Sequence, residues 1–437
     1  MAWDFETDPD FQKKLDWASE FVRTEVEPLD LVFRGASDPF DPARPGPAAA
    51  MAPLKVIVKE KGLWACHLGP ELGGPGYGQV KLGLMNEILG RSRFAPTVFG
   101  TQAPDTGNAE ILARFGTPEQ KRKYLVPLMN GEVASCYSMT EPQAGADPGE
   151  FKCQARLEGD EWIINGEKWF ASHADFARFI LVVAITNTDV PVHKGASILI
   201  VDRNAPGLEV VRNVAVGIRE QIGSGVHAYL RFKDCRVPRE NLLGSAGQGF
   251  EIAQSRLGGG RLHHAMRTVG LLKKALDMMC ERAVSRSTKG ELLSEKQFTQ
   301  EKIADSHIQI TQFRLHVLYT AWLMDKHKAY DREVRREIAA VKAAMPGVLR
   351  DVIYRALHLH GSLGMSNEMP LMEMWATVPE MGIVDGPTEV HKVAVAKALL
   401  RDRKAAAGPW PTAFLPDAIA RARTKLAQAI EIDVANI

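Results

Sequence analysis

Between Ser135 and Gly244 the chain changes its hydrophobic period, and that change constrains the fold more than any other feature. Before it, from about Asp8 to Ala134, apolar residues recur close to helical spacing: Phe11, Leu15, Trp17, Ala18, Phe21 and Val22 stand among charges on the other face. Thr117-Pro118-Glu119-Gln120 reads as a helix start, with an N-cap Thr, Pro first and Gln third. Gly73-Gly74-Pro75-Gly76 marks a loop between helices. Within the window, Phe179–Val183 and Ser197–Val201 are short apolar runs suited to buried strands, and Leu230-Arg231-Phe232-Lys233 alternates as a half-exposed strand does. Asn165-Gly166 between two β-rich runs predicts a hairpin turn. From Phe250 the helical period returns, and the segments Leu262–Val284, Gln300–Tyr330, Glu333–His360 and Val390–Lys404 predict an antiparallel bundle.

The expected fold is therefore α+β in three blocks. These are an N-terminal helical domain (1–134), a middle β-barrel or sandwich (135–244) and a C-terminal helical bundle (245–437). A chain of 437 residues is long enough to need more than one core. With a formal net charge of +1 and interspersed signs, the chain offers no electrostatic footprint for nucleic acid or an anionic membrane. The five cysteines are scattered, without metal-ligand spacing, as in a reducing compartment. The start, Met1-Ala2-Trp3-Asp4-Phe5-Glu6, is unlike a signal or transit peptide, and Ala435-Asn436-Ile437 is no peroxisomal address. The longest apolar run, Phe179 to Ile185, is too short to span a bilayer. A cytoplasmic location with no membrane span is expected.

No Gly-x-Gly-x-x-Gly sits between a strand and a helix, and no Gly-x-x-x-x-Gly-Lys-Ser/Thr occurs, so a nucleotide-like cofactor must be held another way. Gly258-Gly259-Gly260 follows helical text and is read as preceding a helix. His358 and His360, two residues apart on a helix, diverge and are poor metal ligands, so no metal site is expected.

Two separated stretches carry the chemistry: Tyr137-Ser138-Met139-Thr140-Glu141-Pro142 with Gly145-Ala146-Asp147, and Asp385-Gly386-Pro387-Thr388-Glu389. With them, in order, come Phe115-Gly116-Thr117-Pro118-Glu119-Gln120-Lys121, Asn165-Gly166-Glu167-Lys168-Trp169, and Val237-Pro238 with Gly247-Gln248-Gly249-Phe250. This series resembles the acyl-CoA dehydrogenase family over most of the chain, from about Asp8 to about Arg403. Asp105-Thr106-Gly107-Asn108, Arg261-Leu262-His263-His264 and the run from Asp385 to His391 are most similar to the subgroup of animal family members ten and eleven.

The resemblance implies FAD as cofactor. Tyr137, Met139 and Thr140 would lie along the isoalloxazine, an extended segment being able to offer backbone N–H and C=O groups and a Thr hydroxyl. Phe170-Ala171-Ser172 matches the family's Trp-Ile/Val-Ser/Thr, which packs on the flavin; here the aromatic is Phe, and the indole donor is lost. Arg286 and Gln297 match the pair that reaches the cofactor diphosphate of a neighbouring subunit, although the usual Phe after Arg-x-Thr is Lys289. His360, Gly361 and Gly364 match the helix-ending turn over the diphosphate, where Gly permits close backbone approach. A plain helix C-cap explains the same glycines. Thr388 and Glu389 match positions near the flavin.

Asp385 falls where the family places its catalytic base, usually Glu. A base must come within hydrogen-bond reach of the proton it takes, and Asp is one methylene shorter. An alternative is that Asp before Gly-Pro merely caps a helix. Glu389 is the fallback base, and the other family position for a base, beside Arg261, holds Gly260. Arg261 and Ala146 match substrate-side positions, and Ala146 replaces a Ser common in relatives.

The implied reaction is conversion of an acyl-CoA to a trans-2-enoyl-CoA, as in fatty acid β-oxidation. Electrons would pass to an electron-transfer flavoprotein, and the assembly would be a homodimer or homotetramer. A nitroalkane-oxidase-like flavin oxidase and a non-catalytic flavin- or CoA-ester-binding module are the competing readings.

Overall fold

The computed structural model describes residues 7–34, 45–70, 74–216, 225–327, 331–404, 410 and 416–430. Gly73 and Tyr330, each part of an expected element, lie outside them.

The first block is helical: Pro9–Phe21, Pro45–Glu60, Gln79–Leu89 and Asp105–Phe115 precede a helix that starts at Pro118. That last start is the expected capping box, with Thr117 accepting from the Gln120 N–H and Gln120 reaching back to the Thr117 N–H. The middle block is one eight-stranded sheet: β1 Ser135–Ser138, β2 Gln154–Glu158, β3 Glu161–Ser172, β4 Phe179–Ile185, β5 Ala196–Asp202, β6 Leu208–Val214, β7 His227–Pro238 and β8 Leu242–Leu243. The strand order is β6-β7-β3-β2-β4-β5-β8, with β1 parallel to β4. The third block holds the long helices Gly249–Ser285, Gln297–Lys326 and Arg332–His360, followed by Leu371–Ile383, Thr388–Leu400 and Pro416–Ile430.

The continuous apolar runs are explained by a sheet buried on both faces. Along β4, Phe179, Leu181 and Val183 point to a core shared with helix Asp105–Phe115, whereas Ile180, Val182 and Ala184 point into a second core lined by β3 and β7. A further apolar core runs without a break from Phe11, Phe21 and Met85 in the first block to Leu262, Met345 and Val352 in the third. The two helical blocks thus solidify together and clasp the sheet at its side.

Two local expectations need correction. Asn165-Gly166 is not a turn: β3 runs through it, and the hairpin turns at Gly159-Asp160, where Gly159 takes a φ of 59°. Asn165 instead exchanges hydrogen bonds with Asp234 (3.0 and 2.9 Å), and a Cβ on Gly166 would come 2.6 Å from the Cys153 Cα. The pair therefore serves a register irregularity and a close strand approach. Gly258-Gly259-Gly260 does not precede a helix but lies inside Gly249–Ser285. Each costs about 1 kcal/mol relative to Ala there, a penalty that tertiary packing overrides.

Candidate active site

The turn between helices Leu371–Ile383 and Thr388–Leu400 presents Asp385 in a strained conformation, φ 54°, followed by Gly386 at φ 103°. It is held by its backbone. The Asp385 carbonyl accepts from Arg261 Nε at 2.9 Å and from His391 Nε2 at 3.2 Å. Gly suits 386 because its φ of 103° strains any other residue, and a Cβ there would crowd His391 Nε2 at 3.0 Å. One turn earlier the buried Lys342 ammonium donates to the Met381 carbonyl, and Thr388 Oγ1 donates to the Gly382 carbonyl at 3.2 Å.

The Asp385 carboxylate does not cap the following helix, whose N-cap is Pro387 without a side-chain bond. Its nearest ionisable partner is His264 Nε2 at 3.8 Å from Oδ2, and a Cβ on Gly260 would lie 3.6 Å from the same oxygen. A clamped backbone thus sets the Asp385 carboxylate opposite Gly260, a position without a side chain.

Burial sets the charges around it. It pushes His264 and His391 down to about 4, so both imidazoles are neutral at pH 7. It also brings Lys342 down to about 8 against the pull of Asp385, and Arg267 down to about 10.

The Tyr137–Thr140 segment joins this region through Arg256, whose guanidinium stacks 4.0 Å from the Tyr137 ring centroid. Tyr137 is also within electrostatic reach of Asp385. Arg256 Nε donates to Asn108 (3.0 Å), Asn108 to Ser135 Oγ (2.8 Å), and Ser135 to Asp105 (2.6 Å). Gly107 leaves room for Arg256, since a Cβ there would come 2.9 Å from its Cγ. Asp105-Thr106-Gly107-Asn108 is thus a buried polar hub under the segment, a role the sequence did not reveal.

Phe170 sits in an irregularity of the β3–β7 ladder between Lys168 and Ala171, at φ 52°, 46% exposed and stacked on Trp169. A bulge of this kind re-aims a side chain. Ala171 is buried, and the Ser172 hydroxyl is engaged with His227 Nδ1 at 2.8 Å. Ser138 Oγ and Trp169 Nε1 are buried without a partner among the described residues. Such orphaned polar atoms call for a ligand with donors and acceptors, and the polar edge of a flavin fits them.

Other expected residues are not brought to this place. Arg286 and Gln297 are exposed and flank a small ribbon whose tip is Lys289-Gly290. Arg286 lies roughly 40 Å along the long helix from Gly260. His360 closes helix Arg332–His360, roughly 27 Å from Lys342. Gly361 there takes φ 64°, and a Cβ on Gly364 would meet the Leu357 carbonyl at 2.9 Å. Burial lowers the His360 imidazole, its bond to the Ala356 carbonyl opposes this, and the Arg282 charge lowers it further. Ala146 is exposed in the turn after Glu141, and Glu389 is exposed on the first turn of its helix.

Comparison with known proteins meets this geometry. The acyl-CoA dehydrogenase N-terminal, middle and C-terminal domain profiles match residues 9–132, 136–235 and 247–400. Mouse acyl-CoA dehydrogenase family member 10 is 38% identical over 404 residues, 90% of this chain but only 37% of its own length. FadE2 of Mycobacterium tuberculosis, which carries the acyl-CoA dehydrogenase name, is 38% identical over 382 residues, covering 85% of this chain and 92% of itself. A Mycobacterium abscessus chain assigned as an acyl-CoA dehydrogenase superposes with a TM-score of 0.82 at 34% identity, covering 91% of this chain and 99% of its own.

The chain belongs to the acyl-CoA dehydrogenase family. No helix among the described residues is long and apolar enough to cross a membrane.

Proposed function

We propose that the chain dehydrogenates an acyl-CoA thioester between Cα and Cβ, giving a trans-2-enoyl-CoA. The observation that carries this reading is the Asp385 carboxylate, uncommitted in any cap and presented by a strained, clamped turn opposite Gly260. Asp385 takes the α-proton, made acidic by the thioester. When bound, the isoalloxazine supplies the acceptor for the hydride that leaves the β-carbon. Arg261 and His391 keep the Asp385 backbone fixed, so the shorter acid reaches the proton without a wasteful search of conformers. The absence of a side chain at Gly260 leaves room for the acyl group beside it.

Tyr137, Met139, Thr140, Phe170, Ala171 and Ser172 hold the ring system, with Thr388 and Glu389 at its rim. Arg286, Gln297, His360, Gly361 and Gly364 serve the cofactor diphosphate of a second copy in a homodimer or homotetramer, which explains their distance from Asp385. Arg261 and Ala146 border the substrate. Electrons leave to an electron-transfer flavoprotein. The family-wide domain order, with boundaries near 134 and 244, supports this division of labour.

The test is Asp385→Asn. It is expected to retain FAD and abolish bleaching of the flavin by acyl-CoA under anaerobic conditions. Undiminished bleaching would move the base elsewhere, with Glu389 the next candidate.

A further inference from the structure

Two residues inside the flavin-side motifs have no role so far, Glu141 and Lys168. They form a fully buried ion pair: Lys168 Nζ lies 2.8 Å from Glu141 Oε1, and the side chains are 0% and 1% exposed. The ammonium also donates to the Met139 carbonyl at 2.8 Å and stands 4.7 Å from the Phe151 ring centroid. The carboxylate accepts from the N–H groups of Lys152 (2.6 Å) and Cys153 (3.1 Å) and from Gln143 Nε2 (2.6 Å). Both charges are thus compensated and hydrogen-bonded. A buried pair of this kind gains little over an apolar pair of similar volume, so its presence calls for a geometric explanation.

The geometry is specific. Met139 O is taken by the Lys168 side chain, and the next carbonyl, Thr140 O, accepts the Trp169 N–H at 2.8 Å. Two consecutive carbonyls of the extended segment are therefore held by two consecutive residues of β3. Those residues sit at the foot of the bulge that turns Phe170 outward. We propose that the Lys168–Glu141 pair is a positioning unit for the flavin, locking the Tyr137–Thr140 segment to the Trp169–Phe170 bulge at a fixed separation. The proposal rests on the assignment of those two segments to the isoalloxazine.

Lys168→Met alone leaves the Glu141 carboxylate buried and uncompensated, and this variant is expected to fold poorly. The double variant Glu141→Gln/Lys168→Met removes both charges and keeps an amide oxygen as acceptor for the Lys152 and Cys153 N–H groups, so it isolates the positioning role. Apoprotein is reconstituted with FAD, and affinity is read from quenching of flavin fluorescence alongside the visible band and the apoprotein melting midpoint. The double variant is expected to stay folded with a midpoint close to wild type and to bind FAD roughly 10- to 100-fold more weakly, the loss of one hydrogen bond from a charged donor. Its flavin band moves toward that of free FAD. Thr140→Val is measured in parallel. A double variant with wild-type FAD affinity and band overturns the positioning role if Thr140→Val weakens binding. If Thr140→Val is silent as well, the assignment of the segment to the flavin fails instead.

Discussion

The Asp385 turn and the Arg286–Gly361 end of the bundle both carry family motifs, but the chain treats them in opposite ways. At Asp385, a left-handed backbone is pinned by Arg261 and His391, and the surrounding cations and imidazoles are buried. At the far end, Arg286 and Gln297 lie exposed, and Gly361 relaxes a helix end at the surface. Strain persists only where surrounding structure over-determines it. One region is thus held by contacts within the chain, while the other stays an exposed surface.

The largest effect that would sharpen this contrast is at the proposed base. Asp385→Asn should slow acyl-CoA-dependent flavin reduction by about 10²- to 10⁴-fold, the range of general acid–base catalysis, with FAD content unchanged. A variant that instead loses FAD would show the turn to be a cofactor-holding element.

A second prediction concerns pH. Burial lowers His263, His264 and His391 to about 3, 4 and 4 from an ordinary 6.5. The unfolded chain therefore takes up protons first, so this stability is full above pH 6.5 and is lost as pH falls toward 4, by about 1.4 kcal/mol for each unit of depression. Asp30, Asp105 and Glu110, raised by burial, oppose the loss over part of that window. The denaturant midpoint should fall between pH 6.5 and 4, and His264→Gln should flatten the slope. A midpoint that rises on acidification would mean that the buried carboxyls outweigh the imidazoles, and a slope unchanged by His264→Gln would mean that His264 does not contribute to it.

Arg286→Gln should weaken FAD retention about tenfold, the worth of one charge-assisted contact. If the contact crosses between copies, as proposed, the defect should depend on protein concentration. A concentration-independent loss would break the comparison by placing Arg286 at its own chain's cofactor. Smallest is Gly260→Ala, expected to raise stability by about 1 kcal/mol through helix propensity. It should slow flavin reduction because its methyl faces the Asp385 carboxylate. Faster reduction would show that the gap is not substrate space.

Much of the fold was legible because periodicity is a local property. The β4 and β5 runs, the alternation on β7 and the capping box at Thr117 all behave as their spacing indicated. Propensity misled where tertiary contacts decide: Asn165-Gly166 served a strand irregularity, and three consecutive glycines stayed helical. The Asp385 motif could be singled out from the sequence, but its clamp could not. Arg261 and Asp385 are 124 residues apart, and nothing local to Lys342 announces that its ammonium ends at the Met381 carbonyl. Likewise Glu141 and Lys168 stood in separate motifs with no sign that they are paired.

The central claim is tested most directly by anaerobic titration of the FAD-loaded protein with short, branched, long and hydroxylated acyl-CoAs while the visible flavin band is followed. The account predicts that one class bleaches the flavin and that Asp385→Asn does not respond to it. Flavin that stays yellow with every acyl-CoA would contradict the account and favour a non-catalytic or oxidase-like role.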